Sequence, residues 1–120
     1  MQTAHINGER DVRLIEHQEP VGEDEVLVRI HSGSICDSDK LRYQNAPMPK
    51  EVHRPSGYWG AGFLGHEGGG IVQEVGSKVR EFKPGDQVMV FGNQGSLSDF
   101  WVFKAIELEK VPEGLDMNVA

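Results

Sequence analysis

Three side chains in this sequence have the chemistry of a metal site. Cys36, the only cysteine, sits in Cys36-Asp37-Ser38-Asp39. His66 and Glu67 are adjacent in Gly65-His66-Glu67-Gly68-Gly69-Gly70, ahead of the β-forming run Ile71-Val72-Gln73-Glu74-Val75. A soft thiolate and a neutral imidazole suit zinc, and a catalytic zinc takes three protein ligands and keeps one position open. Cys36 and His66 are good donors, and Glu67 is the weaker third. Each has a plainer reading when taken alone. A lone cysteine is more often a small buried hydrophobe, and a lone histidine rarely holds metal. Their company raises the metal reading of both.

The elements that would have to position them belong to one small domain. A chain of 120 residues is enough for a modest core and too short for two ordinary domains. Its 38% apolar and 26% charged residues are the balance of a soluble globular protein. The net charge is -7, and the basic residues are scattered. Lys78, Arg80 and Lys83 flank a turn beside Glu81 and Asp86, and read as a solvated face rather than a phosphate track. Nucleic acid is therefore not an expected partner. A single cysteine excludes an internal disulfide and a four-cysteine structural zinc site. The N-terminal residues have no apolar targeting core, and no stretch approaches membrane-spanning length. The expectation is no membrane partner and a cytoplasmic location.

Residues 10–17 and 25–32 alternate apolar and polar residues, as half-buried strands do, with a turn at Pro20-Val21-Gly22-Glu23. Ser32-Gly33-Ser34 breaks the second strand. Residues 35–43 are expected as a short helix with Asp37 or Ser38 near its start. Residues 44–62 hold three prolines and three glycines and read as a long surface loop. In it Tyr58, Trp59 and His53 could line the mouth of a cleft, or the aromatic rings could simply anchor the loop. From Gly70 onward the expected order is strand, turns at 76–78 and 83–86, strand (87–92), strand (97–104) and a short extended piece (106–112). Such a run indicates an antiparallel barrel or sandwich, a mainly β fold. Residues 112–120 look like a turn feeding a helix that stops as it begins, so the chain reads as the front part of something longer. His5, His17 and His31 show no metal-like grouping and fit surface or strand positions. Glu107, Glu109 and Glu113 read as solubility.

The segment Gly65–Val79 carries Gly-His-Glu, two residues, Gly70, five residues, Gly76, two residues and an aliphatic residue. It resembles the signature of the zinc-dependent medium-chain alcohol and polyol dehydrogenases. Phe82-Lys83-Pro84-Gly85-Asp86-Gln87-Val88 resembles that family's Pro-Gly-Asp turn, and Gly95-Ser96-Leu97-Ser98-Asp99-Phe100 stands where members carry a Gly-Gly-aromatic-Ala-Glu-Tyr run. The similarity extends from the first strand to Val111-Pro112-Glu113-Gly114-Leu115. It implies a GroES-like irregular antiparallel β-barrel with short helices. Residues 1–113 would form the catalytic domain, and residues 114–120 the start of a connection to a nucleotide-binding domain.

The resemblance also implies roles. Cys36 and His66 would be zinc ligands, Glu67 the adjacent carboxylate that reaches the metal directly or through water, and the remaining protein ligand would lie downstream of residue 120. Asp39 would accept the other N–H of His66 and fix its tautomer. Ser38 would sit against the alcohol and pass its proton outward. The implied function is the catalytic-domain portion of an enzyme that oxidises a small-molecule alcohol or polyol by hydride transfer to NAD or NADP. It would be inactive as this fragment, and the parent protein would be a homo-oligomer.

Three departures matter. Leu41 stands where many relatives carry a relay histidine. Asp37 would repel a pyrophosphate where relatives have glycine or a cation. Val90-Phe91-Gly92-Asn93-Gln94-Gly95 leaves no room for a structural-zinc lobe. Gly68-Gly69-Gly70 is not a dinucleotide loop, because it runs into a β pattern instead of opening a helix. Its lack of Cβ atoms would instead let backbones pass closely beside the metal. Two alternatives remain open: a zinc-free, quinone-reductase-like member of the same superfamily, and a stand-alone GroES-like binding module.

Overall fold

In a computed structural model of the chain, the described residues are 2–8, 10–17, 20–45, 64–91 and 95–116. They form strands β1 (Gln2–Gly8), β2 (Asp11–Glu16) and β3 (Glu25–Ser34), helix α1 (Asp37–Asn45), strands β4 (Glu67–Val75), β5 (Gln87–Val90) and β6 (Phe100–Lys104), a 3₁₀ turn (Ala105–Glu107) and strand β7 (Leu108–Lys110). β1 and β2 make a two-stranded sheet, while the other strands make a five-stranded sheet in the order β6-β3-β4-β5-β7. Every pairing is antiparallel. The expected mainly β fold is present. The two sheets do not close into a barrel among the described residues: an isolated bridge between Thr3 and Ser98 joins them, supported by Ala4 N–H donating to Leu97 O at 2.9 Å.

Alternation in β3 places Val26 and Val28 in the core, with Leu27 and Arg29 on the opposite face. Val72, Val88, Val90, Trp101, Phe103 and Leu108 complete that core from the neighbouring strands. Burying each such aliphatic side chain stabilises the fold by roughly 1.5–3 kcal/mol. A smaller cluster of Ala4, Ile6 and Leu64 sits beneath the first hairpin. No described helix is long and apolar enough to cross a membrane.

Several sequence expectations shift. β1 carries too little alternation to stand out, yet Thr3, Ala4, His5 and Ile6 are all buried. β2 is not half-buried: among the described residues it pairs with β1 alone, and Val12 and Leu14 stay in solvent. The helix starts two residues later than expected and runs to Asn45: Ile35 stays outside it, and the first helical bonds run from Asp39 and Lys40 N–H to Cys36 O. β6 begins at Phe100 rather than 97, since residues 97–99 turn aside to bond β1. Glu107 does more than keep the surface soluble, for its carboxylate accepts the Lys104 backbone N–H at 3.0 Å and closes the 3₁₀ turn. The basic group behaves as a solvated face, with Lys78 on Glu23 at 3.0 Å and Lys83 on Asp86 at 3.1 Å. The loop residues His53, Tyr58 and Trp59 lie outside the described residues.

β4 begins at Glu67, three residues before the expected start, so the glycine triplet is strand. A Cβ on Gly70 would collide with the carbonyl oxygen of Arg29 and with Val28 Cγ1, and one on Gly68 would meet Ser32 O at 2.7 Å. At positions 68 and 70 the missing Cβ lets the β3 backbone pass closely, the close approach expected of these glycines.

Gly70→Ala should lower the unfolding free energy by about 3 kcal/mol, as overpacking against a neighbouring strand does, measured by urea denaturation. Asp86 has its carboxyl held below its ordinary value of 3.8, first by the Lys83 backbone N–H and then by Lys83 and Lys110. A depressed folded pKa stabilises above the unfolded value and is lost as pH falls through the folded one. Asp86→Asn should therefore be less stable than the parent at pH 7, with the gap closing as the pH falls below about 4 in paired denaturation curves.

Candidate metal centre

The two donor segments meet because β3 and β4 are neighbours. Their register ends with Ser34 opposite Glu67 and Gly33 opposite Gly68. Cys36 lies just past the end of β3, at the N-cap of α1, and His66 lies just before β4. Adjacent strands run about 4.8 Å apart, so residues flanking the paired ends face each other. The Cys36 sulfur, a His66 ring nitrogen and a Glu67 carboxylate oxygen all lie within 4.8 Å of one another. Cys36 and His66 are half-buried, and Glu67 is open to solvent.

Asp39 joins the two segments. It is 3% exposed, and each of its oxygens accepts a backbone N–H: Oδ2 from Cys36 at 3.1 Å and Oδ1 from Gly65 at 3.2 Å. The first is half of a capping box, in which an acidic residue three positions into the helix reaches back to the cap. The second crosses 26 residues to the position before His66. Oδ1 also stands 3.6 Å from His66 Nδ1, beyond hydrogen-bond length. Its contact with the ring is thus electrostatic, and its hydrogen bonds go to the backbone on either side of the donors.

His66 Nε2 faces Glu67 Oε1 at 3.7 Å. The second oxygen of Glu67 accepts the Ser34 hydroxyl at 2.8 Å. Ser38, in the first turn of α1, has a buried hydroxyl with no hydrogen-bond partner among the described residues. Asp37, beside it, is exposed. At Gly65 the backbone takes φ 85°, and Ser96 and Leu97 fill the space a side chain would need. Only glycine can make that turn into His66 without strain.

The donor set fits a zinc ion. It offers one thiolate, one imidazole and one carboxylate, all from types that bind Zn²⁺. The structure thus brings together Cys36, His66, Glu67 and Asp39, with Ser38 one helical position from each of Asp37 and Asp39. Sequence reasoning missed Ser34 and the backbone bonds of Asp39. The Cys-x-x-Asp spacing could have signalled the cap, but nothing local in the sequence signals that Ser34 faces Glu67.

The chain is similar to known proteins over most of its length. Residues 22–113 match the alcohol dehydrogenase GroES-like domain. An uncharacterized zinc-type alcohol dehydrogenase-like protein of Escherichia coli is 40% identical over 82 residues, covering 66% of this chain and 22% of its own length. Human sorbitol dehydrogenase is 38% identical over 87 residues, covering 71% of this chain and 23% of its own. The chain therefore spans less than a quarter of these relatives. The crystal structure of 2R,3R-butanediol dehydrogenase from Bacillus subtilis superposes with a TM-score of 0.80 at 25% identity, covering 97% of this chain and 42% of that one. On the extent of the domain match, this chain belongs to the zinc-type alcohol and sorbitol dehydrogenase family, as a GroES-like domain.

Proposed function

We propose that this chain is the metal-binding catalytic portion of a zinc-dependent dehydrogenase that oxidises an alcohol or polyol, with NAD or NADP as hydride acceptor. The observation that carries the reading is the convergence of Cys36, His66 and Glu67 donors within 4.8 Å. A polyol or small alcohol is the substrate class, in keeping with relatives named for sorbitol and butanediol. Residues 1–113 are assigned as the catalytic domain and 114–120 as the start of a connection to a nucleotide-binding domain. Gly60-Ala61-Gly62-Phe63-Leu64-Gly65 has the Gly-x-Gly-x-x-Gly spacing but leads into β4 instead of opening a helix, so the nucleotide site is assigned to another domain of the parent protein, and the 120 residues alone should not turn over.

Cys36, His66 and Glu67 would hold the zinc, which when bound supplies Lewis acidity that lowers the pKa of an alcohol. The chain's own residues then do three things. The carboxylate of Asp39, with its charge spread over two backbone N–H groups, holds the Cys36 and His66 segments at a fixed spacing. Its remaining field favours an Nδ1–H tautomer of His66, which leaves Nε2 as the donor nitrogen. The Ser38 hydroxyl, buried and uncommitted among the described residues, is available to accept the proton of a substrate hydroxyl and pass it on. Leu41 has no proton to relay, so the proton must leave through water or another group. The three-donor set also weighs against a zinc-free member of the superfamily.

The chain should bind one zinc, seen by equilibrium dialysis, and cobalt(II) in its place should give a thiolate charge-transfer band. Cys36→Ser should abolish that band and weaken zinc by more than about 100-fold, beyond the loss typical of an outer partner. Asp39→Asn should weaken zinc by about 10–100-fold and also lower the melting temperature of the metal-free chain, because one of two buried N–H groups loses its acceptor. Stoichiometric binding that survives Cys36→Ser would refute the site.

A further inference from the structure

We infer that Ser34 is a positioning residue that makes Glu67 a one-oxygen metal donor. This inference rests on the metal-site reading above. Glu67 is an exposed glutamate at the first position of β4. Left alone, such a side chain samples several rotamers, and ordering a glutamate costs up to about 1.5–2 kcal/mol of entropy. Nothing in the Gly-His-Glu sequence holds it toward the metal side. The fold supplies the restraint from the other strand. Ser34, the last residue of β3, is the register partner of Glu67, and its hydroxyl donates to Oε2 at 2.8 Å. With Oε2 held there, Oε1 faces His66 Nε2 at 3.7 Å, and a carboxylate oxygen of Glu67 lies within the 4.8 Å group with the Cys36 sulfur.

The consequence concerns the donor count. Cys36 and His66 supply two ligands, and a catalytic zinc takes three. A tethered Glu67 lets this chain complete the set with its own residues. Pinning one oxygen also disfavours bidentate coordination, which leaves space for a further ligand. Ser34 thus stands outside the donor group but sets the aim of its least constrained member. The bond is solvent-exposed, so its effect belongs at the weak end of the range for outer partners of metal ligands.

The test compares the 120-residue chain with Ser34→Ala and Ser34→Thr, using zinc affinity by competition with a chromophoric chelator and the visible spectrum of the cobalt(II) form. Ser34→Ala should bind zinc about 5–10-fold more weakly, near the lower bound for outer-partner substitutions. Its cobalt d–d bands should shift, and the melting temperature of the metal-free protein should stay unchanged. Ser34→Thr, which keeps the hydroxyl, should restore both affinity and spectrum. Equal affinity and an identical cobalt spectrum in Ser34→Ala would overturn the inference while leaving the metal site intact. If the unsubstituted chain binds neither zinc nor cobalt, the metal-site reading itself fails and takes this inference with it.

Discussion

The antiparallel ladder between β3 and β4 is the constraint from which the site descends. It aligns the end of one strand with the start of the other, so a thiol just past Ser34 and an imidazole just before Glu67 become neighbours. The ladder is not regular. Its register shifts between Leu27 and Val28 and again between Ile30 and Ser32, and such irregularities re-aim the side chains beyond them. Glycines at 68 and 70 let β4 lie against the β3 backbone where side chains would collide. A core of valines and large aromatics on one face holds this arrangement in place.

The centre gathers acidic groups, and the fold treats them differently. Asp39 is buried, a position that is costly for a carboxylate unless it is hydrogen-bonded. Its two backbone bonds meet that need and at the same time clip the helix cap to the turn at Gly65. Glu67 is left at the surface, where hydration keeps its charge inexpensive and where the Ser34 hydroxyl donates to it. The buried carboxylate builds the site, and the exposed one can complete it.

How much was legible in the residues varied with how local the signal was. The inward face of β3, the Pro84-Gly85 turn and the Gly-His-Glu run could be read directly, because alternation and turn chemistry act over a few positions. β1 could not, since its burial comes from the segment at 95–99 docking against it. Val12 and Leu14 misled for the converse reason: an alternating strand predicts one covered face only if something covers it. The helix boundary falls at Cys36 because the Asp39 side chain accepts the otherwise unpaired Cys36 N–H and caps the first turn there. Glu107 looked like an ordinary surface charge, and its bond to a backbone N–H depends on the tight 3₁₀ geometry.

The sequence by itself determined the chemistry available: one thiol, one imidazole with a carboxylate beside it, and a helix-start aspartate, in an order that points to a zinc-type dehydrogenase. Donor identity is a property of single residues, so it needs no fold to be read. Whether those donors meet, which oxygen of Glu67 is free and what Asp39 grips were decided only in three dimensions. Those outcomes depend on strand register across some thirty residues, and register is set by packing and backbone pairing summed over whole strands.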